Sequence, residues 1–393
     1  MSSQVIRGER FGHPVSDAEM ERRWAALRAS MQKDEIDCFI AFGYDRLLGG
    51  YIRYLIDFPV ITYPVTVLFH REKDITVIGH GASGEPSLPP FATRENVVPV
   101  STPFMTTLNF TDNYIPELIL KEIRRRSYKR IGFVCLNLVP AAIYNYLRSE
   151  LPGVEFVDVS DMVDRVKAIK SSEEIAMIRK AIHIHDQIAA AMPSLMRVGR
   201  YEYEIANDVR KIASDLECEG MSIGLGVDKL RPTMMPGPSQ YRRVSEGDHL
   251  LCLIEVSGPG GMYGELARIW YAGEPTEAMV RGWKAASECQ KLIAGMVKPG
   301  ANPVDLLKKN NEYLTERGYA PEGRLFCHGQ GYDMVERPAA VPGETMLIEE
   351  NMFLAIHPTA VDKDTFAFCC DNYLVTKDGC ERLTKTPMEL LAL

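Results

Sequence analysis

The chain has 393 residues, of which 46% are hydrophobic and 25% charged, and its formal net charge at pH 7 is -8. That acidity argues against nucleic acid or an anionic membrane as the main partner. The length allows two domains. The opening residues are polar and no apolar run reaches about 18 residues, so neither a signal peptide nor a membrane span is expected. The nine cysteines are scattered without a CxxC pair, which predicts a reduced, cytoplasmic protein with no zinc ribbon or disulfide framework.

In chain order, Ser16 to Glu19 reads as a capping box, followed by Met20, Trp24, Leu27 and Met31 at helical spacing. Apolar runs of strand character come next at Cys38–Phe42, Val65–Phe69, Ile75–Ile78, Val97–Val100, Ile131–Cys135 and Val154–Val159, with helical patterns near 115–126 and 140–149. The mixture predicts a small α/β domain over 1–160. Within it, Gly49 to Pro59 gathers tyrosines and an arginine beside glycines. That segment reads as a packed loop or as an aromatic loop reaching a neighbouring subunit's pocket.

A second domain is expected over 161–393. Ser171 and Glu174 form another capping box, and Ile175, Ile178, Ile182 and Ile188 mark a long amphipathic helix. His183 and His185 on it point to different faces, which makes both structural. Further helices are predicted near 202–216, 277–296 and 303–317, the last opened by Asn302 and Pro303. The proline-rich connection from Arg231 to Arg243 is either a solvent loop or a pocket wall.

Residues 250–271 organise this half. Two apolar strand runs flank Gly258, Pro259, Gly260 and Gly261; Glu255 closes the first run and Glu265 opens the second. A carboxylate at the end of a buried strand needs a partner, because an isolated buried charge is costly. Two of them facing one cavity imply a cation between them or a shared proton, whereas two facing solvent merely cap strand ends. Downstream, His328 precedes glycines that permit close approach of backbone and ligand, and His357 ends its own apolar run before Pro358. Polar groups recurring at strand ends suit a cavity within a curved sheet.

This order of segments resembles the pita-bread fold of the creatinase, aminopeptidase P and methionine aminopeptidase superfamily, over the whole chain. The resemblance implies an N-terminal α/β domain before an α+β catalytic domain. Metallopeptidases of that superfamily hold two metal ions with Asp, Asp, His, Glu and Glu. Here the matching positions are Glu255, Glu265, His328, His357 and Cys370, so only the His is kept. Val335 stands where the peptidases carry a second histidine, and the metal-free creatinase's catalytic His has no counterpart in the loop before residue 250.

Glu255-Val-Ser-Gly258, Gly264-Glu-Leu-Ala-Arg268 and the two His motifs are similar to the creatinase-like branch of ectoine hydrolases. That resemblance implies opening of a cyclic amidine to N-acetyl-2,4-diaminobutyrate, with no metal or other cofactor. A protonated amidine has an electrophilic C2 and suits two carboxylates. On this reading Glu255 is nucleophile or base, Glu265 pairs with the amidinium, and His328 and His357 move protons. Arg337, with Arg324 and Arg242 as alternatives, takes the substrate carboxylate, beside Cys370. Tyr54, Phe58 and Tyr63 are implied to close the pocket across a homodimer interface. Two other readings stay open: another C–N hydrolase of the fold, with or without one ion, and an inactive relative that binds a partner.

Overall fold

The computed structural model describes residues 12–44, 49–60, 63–72, 74–81, 87–88, 92–102, 113–236 and 241–392. The chain forms two compact units, Met1–Lys167 and Ala168–Leu393. The division falls beyond residue 160 because α5, Ser160–Ala168, belongs with the first unit. Asp164 accepts a hydrogen bond from the Tyr51 hydroxyl at 2.6 Å, and the Lys167 ammonium lies over the Tyr51 ring.

The first unit is built on a six-stranded sheet of β1 (Cys38–Gly43), β2 (Val65–His70), β3 (Ile75–His80), β4 (Val97–Thr102), β5 (Arg130–Phe133) and β6 (Glu155–Asp158), in the order β4-β3-β2-β1-β5-β6. Its helices are α1 (Asp17–Lys33), α2 (Gly50–Ile56), α3 (Tyr114–Arg126), α4 (Ala141–Glu150) and α5. Ser16 caps α1 by accepting from the Glu19 amide. One expectation fails here: Gly49 to Pro59 is largely the helix α2, not a loop. Tyr54 on it is only 1% exposed, with the Arg23 guanidinium 4.7 Å over its ring. It is a core residue of its own unit, where burial of its large ring contributes to packing. Phe58 and Tyr63 are half-buried and line a cavity of about 250 Å³ with Val77 and His80.

The second unit carries two five-stranded sheets. One contains β7 (Gly220–Asp228), β8 (Met235–Pro236), β9 (His249–Ser257) and β10 (Tyr263–Tyr271); the other contains β11 (Cys327–Gly329), β12 (Glu336–Ala339) and β13 (Phe353–Ile356). After β13 come a small hairpin of β14 (Thr359–Val361) and β15 (Phe366–Phe368), then β16 (Asp371–Val375), β17 (Cys380–Arg382) and β18 (Leu391–Ala392). The orders are β18-β10-β9-β7-β8 and β12-β11-β13-β16-β17. The helices are α6 (Ser172–Leu195), α7 (Glu202–Asp215), α8 (Glu277–Ala294) and α9 (Pro303–Thr315). The expected starts of α6 and α9 are present: Ser171 and Glu174 make a reciprocal capping box, and Asn302 caps a helix opened by Pro303.

The near-continuous apolar runs of β9 and β10 follow from burial on both faces. Leu250, Cys252, Ile254, Leu266 and Trp270 enter the core beneath α6 and α7. Leu251, Ala267 and Ile269 enter a second core shared with α8 and β13. With a side-chain period of two, Glu255 and Glu265 therefore face the second sheet, together with those odd-numbered residues. A bridge between Ala267 and Cys370 links the two sheets beside them. Among the described residues no helix is long and apolar enough to cross a membrane.

Candidate active site

The register of β9 and β10 pairs Glu265 directly with Glu255, and Ser222 of β7 lies opposite Glu255 on the other side. Glu265 is fully enclosed, 3% exposed, whereas Glu255 is half-buried. Burial pushes both carboxyls upward, and the charge of Glu255 raises Glu265 further, while a hydrogen bond from Ser222 holds Glu255 back. Like charges paired across strands disfavour double ionisation.

His328 sits on β11 opposite Ala355 of β13, and the His357 amide donates to the Phe326 carbonyl at 2.7 Å. That register points both imidazoles to one face. Their Nε2 atoms lie 3.1 Å apart; His328 Nε2 is 3.6 Å from one Glu265 oxygen and His357 Nε2 is 4.0 Å from the other. His328 Nδ1 contacts the Gly329 carbonyl at 2.9 Å and must carry the proton there. Its Nε2 is then an acceptor, and His357 Nε2 donates to it. His357 Nδ1 is left buried without a hydrogen-bond partner among the described residues. Burial lowers His328 to about 4 and holds His357 well below the ordinary imidazole value, so both are neutral near pH 7.

Two residues that the sequence pattern does not single out hold Glu265 in place. Gln330 donates its side-chain amide to Glu265 Oε2 at 3.2 Å and to the Met334 carbonyl at 3.0 Å. Asn372 donates to Gln330 Oε1 at 2.7 Å and accepts from the Glu265 amide at 2.7 Å. Both are fully buried. The glycines after His328 have a different cause from the one expected: a Cβ on Gly329 would fall 2.5 Å from the Arg337 carbonyl, so close packing of neighbouring strands demands it.

Two expected binding residues, Arg337 and Arg242, are engaged elsewhere. Arg337 forms a two-pronged ion pair with Glu344, whose carboxyl also accepts from the amides of Ala339, Thr345 and Met346 and is held down at about 2. It fastens that loop. Arg242 pairs with Asp228 and Asp248. Cys370 is fully buried beside Glu265; its thiol contacts the Glu265 backbone carbonyl at 3.8 Å, hydrogen-bonds the Glu265 carboxyl, and is pushed well above its usual range by burial and that neighbouring acid. His185 is structural as expected, with Nδ1 against the Ala181 carbonyl and Nε2 accepting from the Val256 amide.

Family comparison agrees with this architecture. The model of metallopeptidase family M24 matches residues 176–377, and that of the creatinase/prolidase N-terminal domain matches residues 23–169. The chain belongs to metallopeptidase family M24. Among its relatives, an Xaa-Pro dipeptidase of Pyrococcus furiosus is 28% identical over 244 residues, 60% of this chain and 69% of the relative. A creatinase of Bacillus sp. strain B-0618 is 25% identical over 410 residues, 97% of this chain and 94% of the relative. The fold is that of the X-Pro aminopeptidase of Thermotoga maritima, at a TM-score of 0.79 and 18% identity, covering 94% of this chain and 99% of that one. The protein is a hydrolase of the creatinase and Xaa-Pro peptidase kind.

Membership of M24 raises the question of metal. Glu265, His328 and His357 offer three buried donor atoms within 4.8 Å of one another. Two imidazoles and one carboxylate fit a single first-row ion such as Zn²⁺ or Fe²⁺. The three donors found together fall short of the five that hold a pair of ions.

Proposed function

We propose that this M24 hydrolase opens the cyclic amidine ring of ectoine and releases N-acetyl-2,4-diaminobutyrate. The carrying observation is the charge deficit of the site. Glu255 and Glu265 are paired across neighbouring strands, Glu265 fully buried, and among the described residues neither has a Lys or Arg ion-pair partner. A site short of one positive charge suits a planar amidinium, whose N–H groups would restore both carboxylates to their ionised form. The adjacent imidazoles supply proton traffic at the breaking C–N bond.

We assign the base to Glu265 rather than Glu255, because Glu265 alone has both imidazoles beside it. Glu265 takes a proton from water, and the water oxygen bonds to C2. That proton reaches the leaving nitrogen through His328 and His357, and the C2–N bond breaks as the C2 hydroxyl becomes the amide carbonyl and returns its proton to Glu265. The two rings suit a relay, being neutral and already joined by a hydrogen bond. Glu255, held by Ser222, balances the charge of the amidinium. Gln330 and Asn372 fix the Glu265 carboxylate against rotation.

The convergence of Glu265, His328 and His357 favours a second reading, a hydrolase using one ion. Bound there, an ion would polarise the substrate and lower the pKa of water. Chelator-treated, metal-analysed protein incubated with ectoine and followed by NMR separates the two. Ring opening at undiminished rate supports the first reading; activity that appears only on adding Zn²⁺, Mn²⁺ or Fe²⁺ overturns it.

A further inference from the structure

An amidine bearing a carboxylate needs a cation that the buried cluster cannot supply, since it consists of two acids and two neutral imidazoles. Four arginines of this unit are already committed to acids of the fold, Arg337 to Glu344, Arg242 to Asp228 and Asp248, and Arg268 and Arg382 to Asp371. Arg324 differs. It stands four residues before His328, on the approach to β11, and its side chain is 49% exposed. Nη2 donates to the Thr359 hydroxyl at 2.9 Å, and the guanidinium lies 5.3 Å over the Phe368 ring. Phe368 packs against His357 with ring centroids 5.4 Å apart. A contact path thus runs from the half-exposed guanidinium through the phenyl wall to the buried imidazole.

The nearest acid, Glu322, approaches Arg324 Nε at 3.4 Å, beyond a good charge-assisted hydrogen bond. Nη1 has no partner among the described residues. Thr359 and Phe368 fix the plane of the guanidinium, and its outer edge remains available. Its charge is felt at both Glu265 and His357.

We propose that Arg324 is the anchor for the carboxylate of the substrate, with Thr359 and Phe368 orienting its guanidinium. This rests on the amidine-hydrolase reading and specifies its substrate class: an amidinium with an anionic group, not an amidine alone. Arg324 is a specificity residue, acting on binding rather than on the bond that breaks.

Arg324→Met keeps a long apolar stem on Phe368 and removes the charge. Turnover and calorimetric binding of ectoine and of 2-methyl-1,4,5,6-tetrahydropyrimidine, which lacks the carboxylate, test the assignment in wild type and variant. The expected result is a KM and Kd for ectoine raised on the order of 10- to 30-fold, with kcat within a few-fold, and equal values for the uncharged-tail analogue in both proteins. Arg324→Lys should recover part of the loss, because it restores charge without the fork. Undiminished ectoine binding by Arg324→Met overturns the assignment while leaving ring opening intact. A comparable loss for the analogue also overturns it, in favour of a packing role. Wild-type protein that neither binds nor opens ectoine removes the reading itself, and the anchor with it.

Discussion

Arg268 and Glu265 lie three residues apart on β10 and point to opposite faces, and each is fully buried. On the Arg268 side the guanidinium is fully engaged: it pairs with Asp371 at 2.6 Å and donates to the carbonyls of Ala267, Cys370, Thr386 and Pro387. Arg382 pairs with the same aspartate. On the Glu265 side a carboxyl is held by one amide, faces a second carboxyl, and has no cation partner among the described residues. Buried charge that builds the fold is neutralised within the chain, whereas buried charge left short of a partner marks where a ligand belongs.

Breaking each side should give opposite phenotypes. Glu265→Gln should lower kcat for ectoine by about 10³- to 10⁴-fold, measured by NMR of the product, with an unchanged or raised melting temperature at pH 8. A variant that unfolds instead would place Glu265 among the structural charges. Arg268→Met leaves Asp371 buried with Arg382 alone and should cost about 3–5 kcal/mol by denaturant titration. A loss within error would sink the contrast from the other side.

Gln330→Leu tests the support of the carboxylate. Its expected loss in kcat/KM is about tenfold, with a loss of stability of about 1–3 kcal/mol by denaturant titration, since it removes the hydrogen bond to Glu265 and leaves the Met334 carbonyl and the Asn372 amide without their buried partner. An effect as large as that of Glu265→Gln would move Gln330 into the reaction itself.

The pH dependence of stability sharpens the same comparison. Glu255 and Glu265 have folded pKa values above the unfolded carboxylate value, so the folded protein binds more protons than the unfolded chain in that window. Their contribution to stability therefore falls as pH rises. His328 and His357 are lowered, and their contribution rises with pH up to the unfolded imidazole value near 6.5. Above that pH only the carboxyls remain, and stability should decline toward pH 8 in the wild type but less steeply in Glu265→Gln. A slope unchanged by the substitution would mean that Glu265 ionises normally. The smallest effect is expected for Tyr54→Phe, which should leave the KM for ectoine unchanged because Tyr54 is a core residue of the first unit.

Much of this was legible in the chain itself. The order of strands and helices follows from apolar periodicity, and the starts of α6 and α9 from side chains that cap the first turn. Glu255, Glu265, His328 and His357 stand out because polar groups at the ends of buried strands violate the surrounding pattern. Gln330 and Asn372 do not stand out in sequence, being ordinary amides until the fold buries them beside Glu265. The Gly49 to Pro59 segment reads as a loop from its glycines, yet packing of Ile52, Tyr54, Leu55 and Ile56 makes it a helix.

The linear chain settles which chemical groups are available and how the strands alternate. Folding settles which arginines are already paired. Arg337, Arg324 and Arg242 are all candidates in a linear chain, with Arg337 first, because ion pairing depends on partners such as Glu344 and Asp228 that the fold brings into place. Folding also settles which of two similar glutamates faces the histidines, since strand register, not spacing along the chain, sets that distance.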